Sequence, residues 1–242
     1  MSHDAGRGRI EVITGPMFAG KTEELMRRVR RATIAGLRVL VVNHALDDRR
    51  GASIVSSHAG GRISAHSVNG SADLRTMVDG TGGTDLTVGT DRIDDPDGGT
   101  LDLLAIDEAQ FFGADLVPVA IDLADRGVTV VVSGLCLTFD DQPFDPLPAL
   151  MASAESVTKL LAVCAVCGAD AAFHRRVDRP GRAGSSGADG QASGADPAAQ
   201  GTETAVLVAG EGEGAGVGNS LVATAEHVGG AEQYQARCRR HR

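Results

Sequence analysis

The sequence predicts an α/β domain with a parallel sheet flanked by helices, followed by a small C-terminal metal-binding module. Three observations carry this expectation. Short, nearly continuous aliphatic and β-branched runs alternate with a stretch of helical period, as in a sheet buried on both faces. A glycine-rich loop joins the first of those runs to the first helix. Two Cys-x-x-[Cys/His] pairs stand in the last third of the chain.

Residues 9–14 read Arg-Ile-Glu-Val-Ile-Thr, a first strand ending at Gly15. Residues 22–35 place Leu25, Met26, Val29, Ala32 and Thr33 at helical spacing, with Arg27, Arg28, Arg30 and Arg31 on the other face. Gly36 ends that helix. Runs at 37–43, 101–106 and 128–133 predict three more strands, with a helix near 114–125 between the last two. Residues 156–163 predict another strand. From 178 to 202 the chain is rich in Gly, Ala, Ser and Asp, which predicts a flexible insertion, since such a segment cannot bury enough apolar surface to offset its chain entropy. Alternating residues at 204–208 and 220–224 suggest a hairpin beyond it. The expected division is a nucleotide-binding domain over 1–155 and a metal module over 156–242.

Composition narrows the function classes. Hydrophobic residues make up 42% of the 242 residues but aromatics only 3%, with no Trp, so the core must be built from Val, Leu, Ile and Ala. A net charge of −9 argues against a nucleic-acid partner, which would need a cationic face. Without a run of 18 apolar residues or a signal-like N-terminus, no membrane partner is expected and a cytoplasmic location is. In a reducing compartment the four cysteines are expected to be thiols or metal ligands.

The loop is Gly15-Pro16-Met17-Phe18-Ala19-Gly20-Lys21-Thr22, a complete G-x-x-x-x-G-K-T between a predicted strand and a predicted helix. Its backbone N–H groups and the helix N-terminus suit phosphate. Lys21 suits the β/γ-phosphate charge and Thr22 a magnesium ion, so the loop predicts nucleotide binding with Mg²⁺. Strand 101–106 ends in Asp107-Glu108-Ala109-Gln110-Phe111-Phe112. Asp107 is placed to support the metal, and Glu108 to orient a nucleophile and take its proton. These residues alone serve a kinase and a water-activating ATPase equally well. Cys164-Ala-Val-Cys167 and Cys238-Arg-Arg-His241 can together supply three thiolates and one imidazole, a closed structural zinc site. The alternatives are a redox Cys-x-x-Cys or unrelated thiols.

In chain order, GPMFAGKT, DEAQFF, SVTKLLAVCAVC and VGGAEQYQARCRRH closely resemble the small, zinc-containing cellular type of thymidine kinase. The resemblance runs from about residue 9 to the C-terminus, interrupted at roughly 178–224. It implies a thymidine 5′-kinase of RecA-like P-loop fold, using ATP with Mg²⁺ and Glu108 as catalytic base, and it turns the balance from ATPase to kinase. Asp107 and Gln110 inherit ATP-site roles, as do Asp47 and Arg49 of Leu46-Asp47-Asp48-Arg49. Without the resemblance, that last segment reads as a solvated charged loop. Met17, Leu135, Phe139, Phe144, His174 and Tyr234 match positions around the base. Val228, Gly229 and Gly230 match the substrate-enclosing lasso that zinc would anchor. The resemblance further implies a homotetramer with thymidine triphosphate (dTTP) as feedback inhibitor. This chain departs from the family pattern in carrying Cys136 where Asp is usual, His174 where Thr is usual, and Arg50 in place of Tyr. The 139–144 loop also lacks its usual basic residue. Two other readings are a nucleotide sensor without turnover and a nucleic-acid-stimulated ATPase.

Overall fold

The computed structural model describes residues 8–46, 54–56, 62–80, 101–177 and 233–242. A six-stranded, wholly parallel sheet forms the centre. Its strands are β1 (Arg9–Thr14), β2 (Val39–His44), β5 (His66–Val68), β6 (Leu103–Ile106), β7 (Thr129–Gly134) and β8 (Ser156–Lys159). They stand in the order β5-β2-β6-β7-β1-β8. Residues of β1, β2, β6 and β7 alternate between two cores, so these four strands are apolar on both faces. Val39 and Val41 of β2 turn to one side, and Leu40 and Val42 to the other.

On the first side lies α1 (Lys21–Ile34), whose Leu25, Met26, Val29 and Ala32 pack on Ile13, Ala105 and Val131. The second side carries α2 (Ser71–Gly80), α3 (Leu116–Asp125) and α4 (Leu147–Ser153), through Leu74, Leu116, Leu123, Leu147 and Leu150. The first core contains no aromatic residue and the second only Phe112, as the composition requires. Arg28 ties α1 to the sheet edge. Its guanidinium donates to Glu11 at 2.6 Å, to Glu24 at 3.0 Å and to Thr158 at 2.9 Å.

The helices and strands expected at 9–14, 22–35, 37–43, 101–106, 114–125 and 128–133 are present, with ends shifted by a few residues at most. The single strand expected over 156–163 is two elements. β8 stays in the main sheet, whereas β9 (Ala162–Val163) leaves it to pair with β10 (Asp170–Ala171). The break falls where Leu160 donates its N–H to Thr14 O at 2.8 Å. β11 (Phe173–Arg176) and β12 (Tyr234–Arg237) pair antiparallel, which brings the two cysteine pairs together. A small hairpin, β3 (Ile54–Ser56) with β4 (Arg62–Ser64), completes the described elements.

All of these belong to one unit, Met1–Val177 with Ser220–Arg242. The second unit, Asp178–Asn219, falls outside the described residues, and with it the expected insertion at 178–202 and strand 204–208. The expected strand 220–224 lies outside them as well. Among the described residues no helix is long and apolar enough to cross a membrane.

Candidate functional site

The carboxyl ends of β1, β6 and β7 bring the candidate residues to one edge of the sheet. Gly15 leaves β1 with φ 146°, and a Cβ there would stand 2.4 Å from the Leu160 carbonyl oxygen. Only glycine lets the loop turn so close to the chain leaving β8. Lys21 and Thr22 open α1, whose first turn also holds Glu23 and Glu24. Lys21 Nζ donates to Pro16 O at 2.9 Å, so the cation lies back along its own loop.

Asp107 is buried at the end of β6 and accepts two hydroxyl hydrogen bonds. Thr22 Oγ1 donates to its Oδ2 at 3.1 Å, and Ser133 Oγ to its Oδ1 at 2.8 Å. A hydroxyl and a carboxylate therefore meet at the phosphate loop, the oxygen donor set that suits Mg²⁺. Ser133 was not foreseen; its signal was the one hydroxyl in the inner part of β7, Thr-Val-Val-Val-Ser-Gly.

Glu108 takes a left-handed backbone, φ 49° and ψ 46°, which swings its side chain off the strand alternation. Among the described residues only Phe18, Glu108 and Asp141 combine a side chain with positive φ. They stand in the phosphate loop, in the acidic turn and in the 138–144 loop. Such conformations cost roughly 1–3 kcal/mol and persist where the surroundings impose them. Gln110 Nε2 donates to Glu108 Oε2, and Gln110 Oε1 accepts the Leu135 N–H at 3.0 Å.

The residues expected around a base assemble in two groups. Leu135 and Phe144 pack with Phe111, and Met17 of the phosphate loop lies against them. Tyr234 meets His174 edge to face at 6.0 Å and Phe139 at 6.1 Å between ring centroids. The 138–144 loop, which lacks a basic residue of its own, receives one from β11. The Arg175 guanidinium donates to the Phe139 carbonyl and to both carboxylate oxygens of Asp141. Hydrogen bonding to Arg175 holds the Asp141 carboxyl below its usual range and raises the arginine in turn.

His44, also unforeseen, ends β2 beside the aromatic pair of the acidic turn. It lies edge-on to Phe112 at 5.0 Å, and its Nδ1 accepts the Leu46 N–H at 3.1 Å. Burial pushes its pKa down, which favours the neutral ring that accepts the Leu46 N–H. Asp47, Arg49 and Arg50, like Val228, Gly229 and Gly230, lie outside the described residues.

Cys164, Cys167, Cys238 and His241 converge with all four donor atoms within 4.8 Å of one another. Cys164 Sγ and Cys167 Sγ stand 3.7 Å from His241 Nδ1 and Cys238 Sγ respectively, and Cys238 Sγ stands 3.2 Å from His241 Nδ1. Sulfurs at tetrahedral corners around zinc, each ~2.3 Å from it, are about 3.7 Å apart, so this group can hold zinc. Burial raises the Cys164 thiol, but the backbone N–H groups of Cys238, Val166 and Cys167, with His241, outweigh it and bring the thiol down to about 5. All four cysteines are free of disulfides. The module packs on the phosphate loop, with Ala19 against the cluster of Ala162, Cys164, Ala171, Ala236 and Cys238.

The family model for thymidine kinase covers residues 8–211. A thymidine kinase of Deinococcus radiodurans is 47% identical over 170 residues, 70% of this chain and 76% of the relative. One from Halobacterium salinarum is 44% identical over 174 residues, covering 70% and 79%. One from Bdellovibrio bacteriovorus is 39% identical over 185 residues, covering 76% and 78%.

Proposed function

This chain belongs to the thymidine kinase family and phosphorylates thymidine from ATP, and we propose that Glu108 is the base on the nucleoside 5′-hydroxyl. The observation that carries the assignment is the imposed left-handed turn at Glu108, one residue beyond the Asp107 carboxylate that accepts Thr22. A hydroxyl attacking the γ-phosphate must lose its proton, and a carboxylate held beside it both aims the oxygen and accepts that proton. Because phosphoryl transfer depends mainly on position and charge, aim is the larger part of this role.

In this reading the backbone of Gly15, Pro16, Met17, Phe18, Ala19 and Gly20 wraps the phosphates, and Lys21 swings from Pro16 O to neutralise them. Thr22 and Asp107 would hold Mg²⁺, which supplies charge neutralisation when bound with ATP. Asp47 would assist the metal and Arg49 the phosphates. Met17, Leu135, Phe139, Phe144, His174 and Tyr234 would enclose the thymine, closed by a lasso including Val228, Gly229 and Gly230. An apolar wall at the 5-methyl group gives selectivity over deoxyuridine of about 10- to 200-fold.

Cys164, Cys167, Cys238 and His241 would hold zinc in a folding role, since four protein ligands leave no position open for chemistry. The 155/156 boundary would divide the nucleotide-binding domain from the metal module, with the base pocket drawing Met17, Leu135, Phe139 and Phe144 from the first and His174 and Tyr234 from the second. A homotetramer, inhibition by dTTP and a cytoplasmic location belong to the same proposal. The first two are supported by family resemblance and the last by the unpaired thiols.

Phosphate transfer from ATP to thymidine, with deoxyuridine and deoxycytidine alongside, tests the assignment. Glu108→Gln should bind ATP normally and lose roughly 100-fold or more in kcat. Wild-type turnover in that variant would remove Glu108 from the role of base.

A further inference from the structure

Gln110 sits in the short 3-10 turn Ala109–Phe111, two residues beyond Glu108, and is only 2% exposed. A buried primary amide must satisfy one oxygen and one NH₂ group, and its orientation follows from what faces it. The Leu135 N–H can only donate, so the atom 3.0 Å away is Gln110 Oε1. A flipped amide would set N–H against N–H. That choice turns Nε2 toward Glu108, where it donates to Oε2.

The amide packs closely against the end of β7. A Cβ on Gly134 would stand 2.8 Å from Gln110 Oε1 and 2.9 Å from Leu147 Cδ2. The glycine is what lets the amide reach the strand end. Leu135, whose N–H anchors it, is itself a wall of the apolar group formed with Phe111, Phe144 and Met17.

We infer that Gln110 is a positioning residue that holds the Glu108 carboxylate in register with the nucleoside pocket, and does not itself bind the ATP phosphates. The inference rests on the reading of Glu108 as the base. It replaces the phosphate-binding role that the resemblance implies for Gln110. A carboxylate on rotatable bonds samples several positions, and a buried amide bolted to a strand end selects one of them. Because Leu135 carries both the anchor and a pocket wall, the base and the nucleoside share one reference point. The hydrogen bond to an ionised acceptor is of the stronger, charge-assisted kind. A misplacement of ~1 Å costs about 100-fold in such a reaction.

A double-mutant cycle on kcat tests this, using Gln110→Met, Glu108→Gln and the double variant, with ATP and thymidine affinities measured by calorimetry. Gln110→Met should lower kcat by about 10- to 100-fold with ATP affinity unchanged. In the Glu108→Gln background the same substitution should cause no further loss, because the group it positions is gone. Losses that multiply, reduced ATP affinity without a fall in kcat, or wild-type kcat in Gln110→Met would each overturn the inference. Should the Met variant fail to fold, Gln110→Glu serves. It keeps an acceptor for the Leu135 N–H and sets a second carboxylate against Glu108, so kcat should fall while ATP affinity holds. Unchanged kcat there would equally overturn the inference. Wild-type turnover in Glu108→Gln is a separate outcome, removing the base assignment itself and this inference with it.

Discussion

At the scale of single residues, the site uses side chains that hold other side chains. Ser133 and Thr22 fix the Asp107 carboxylate, Gln110 meets Glu108, and Arg175 meets Asp141. The last pair makes its own prediction. Arg175 binds both the Phe139 carbonyl and Asp141, so Arg175→Ala should free the loop and raise the thymidine KM several-fold while ATP affinity is unchanged. The ion pair is partly solvated, and its contribution to stability is correspondingly small. The folded-state pKa of Asp141 is depressed below the ordinary 3.8, so that contribution is complete above the ordinary value and is lost as pH falls through the depressed one. The difference in Tm between wild type and Arg175→Ala should therefore be constant from neutral pH down to about 5 and close only in strong acid. A difference that already vanished near neutrality would contradict the pairing.

At the scale of elements, the junction of β1, the phosphate loop and the end of β8 is the tightest part of the site. Leu160 donates its N–H to Thr14 O, and its own carbonyl fills the space that any side chain on Gly15 would need. Gly15→Ala must push that carbonyl away or open the loop, and it also meets an unfavourable φ. The expected result is loss of ATP binding, read by calorimetry, together with a lower Tm. Normal ATP affinity in Gly15→Ala would mean that the contact yields easily. The boundaries of α1 and β1 were legible because period and punctuation agree there. α4 was not foreseen, because seven residues carry too little helical period to register, although Pro148 stands in the first turn where proline is favoured. The split of 156–163 was also hidden, since leaving the main sheet at Leu160 depends on the partner strand and not on local propensity.

At the scale of the whole molecule, the 15–22 loop and the Cys/His module are in direct packing contact. Ala19 of the loop packs on the cluster that contains Cys164 and Cys238. Removing the metal should therefore act on both. Chelation of the zinc-loaded protein, or Cys164→Ser, is expected to lower Tm and weaken ATP binding in parallel. Preserved ATP affinity after verified metal loss would show that the two regions work independently.

Local pattern alone determined the parallel α/β core, the phosphate loop, the acidic turn and the two cysteine pairs, because each is written in contiguous residues with a fixed period or spacing. The residues proposed for the base pocket became legible only through resemblance, since apolar side chains at those positions read equally well as core. Tertiary structure decided which distant residues act together. It set Ser133 on Asp107, Gln110 between Glu108 and Leu135, Arg175 on the loop that lacked its own basic residue, and His44 on Leu46. Each of these is a hydrogen bond made by a side chain. Adjacent ends of β6 and β7 bring Ser133 to Asp107 and Leu135 to Gln110, and β11 brings Arg175 to the 138–144 loop, whereas the Gln110–Glu108 and His44–Leu46 bonds span only two residues.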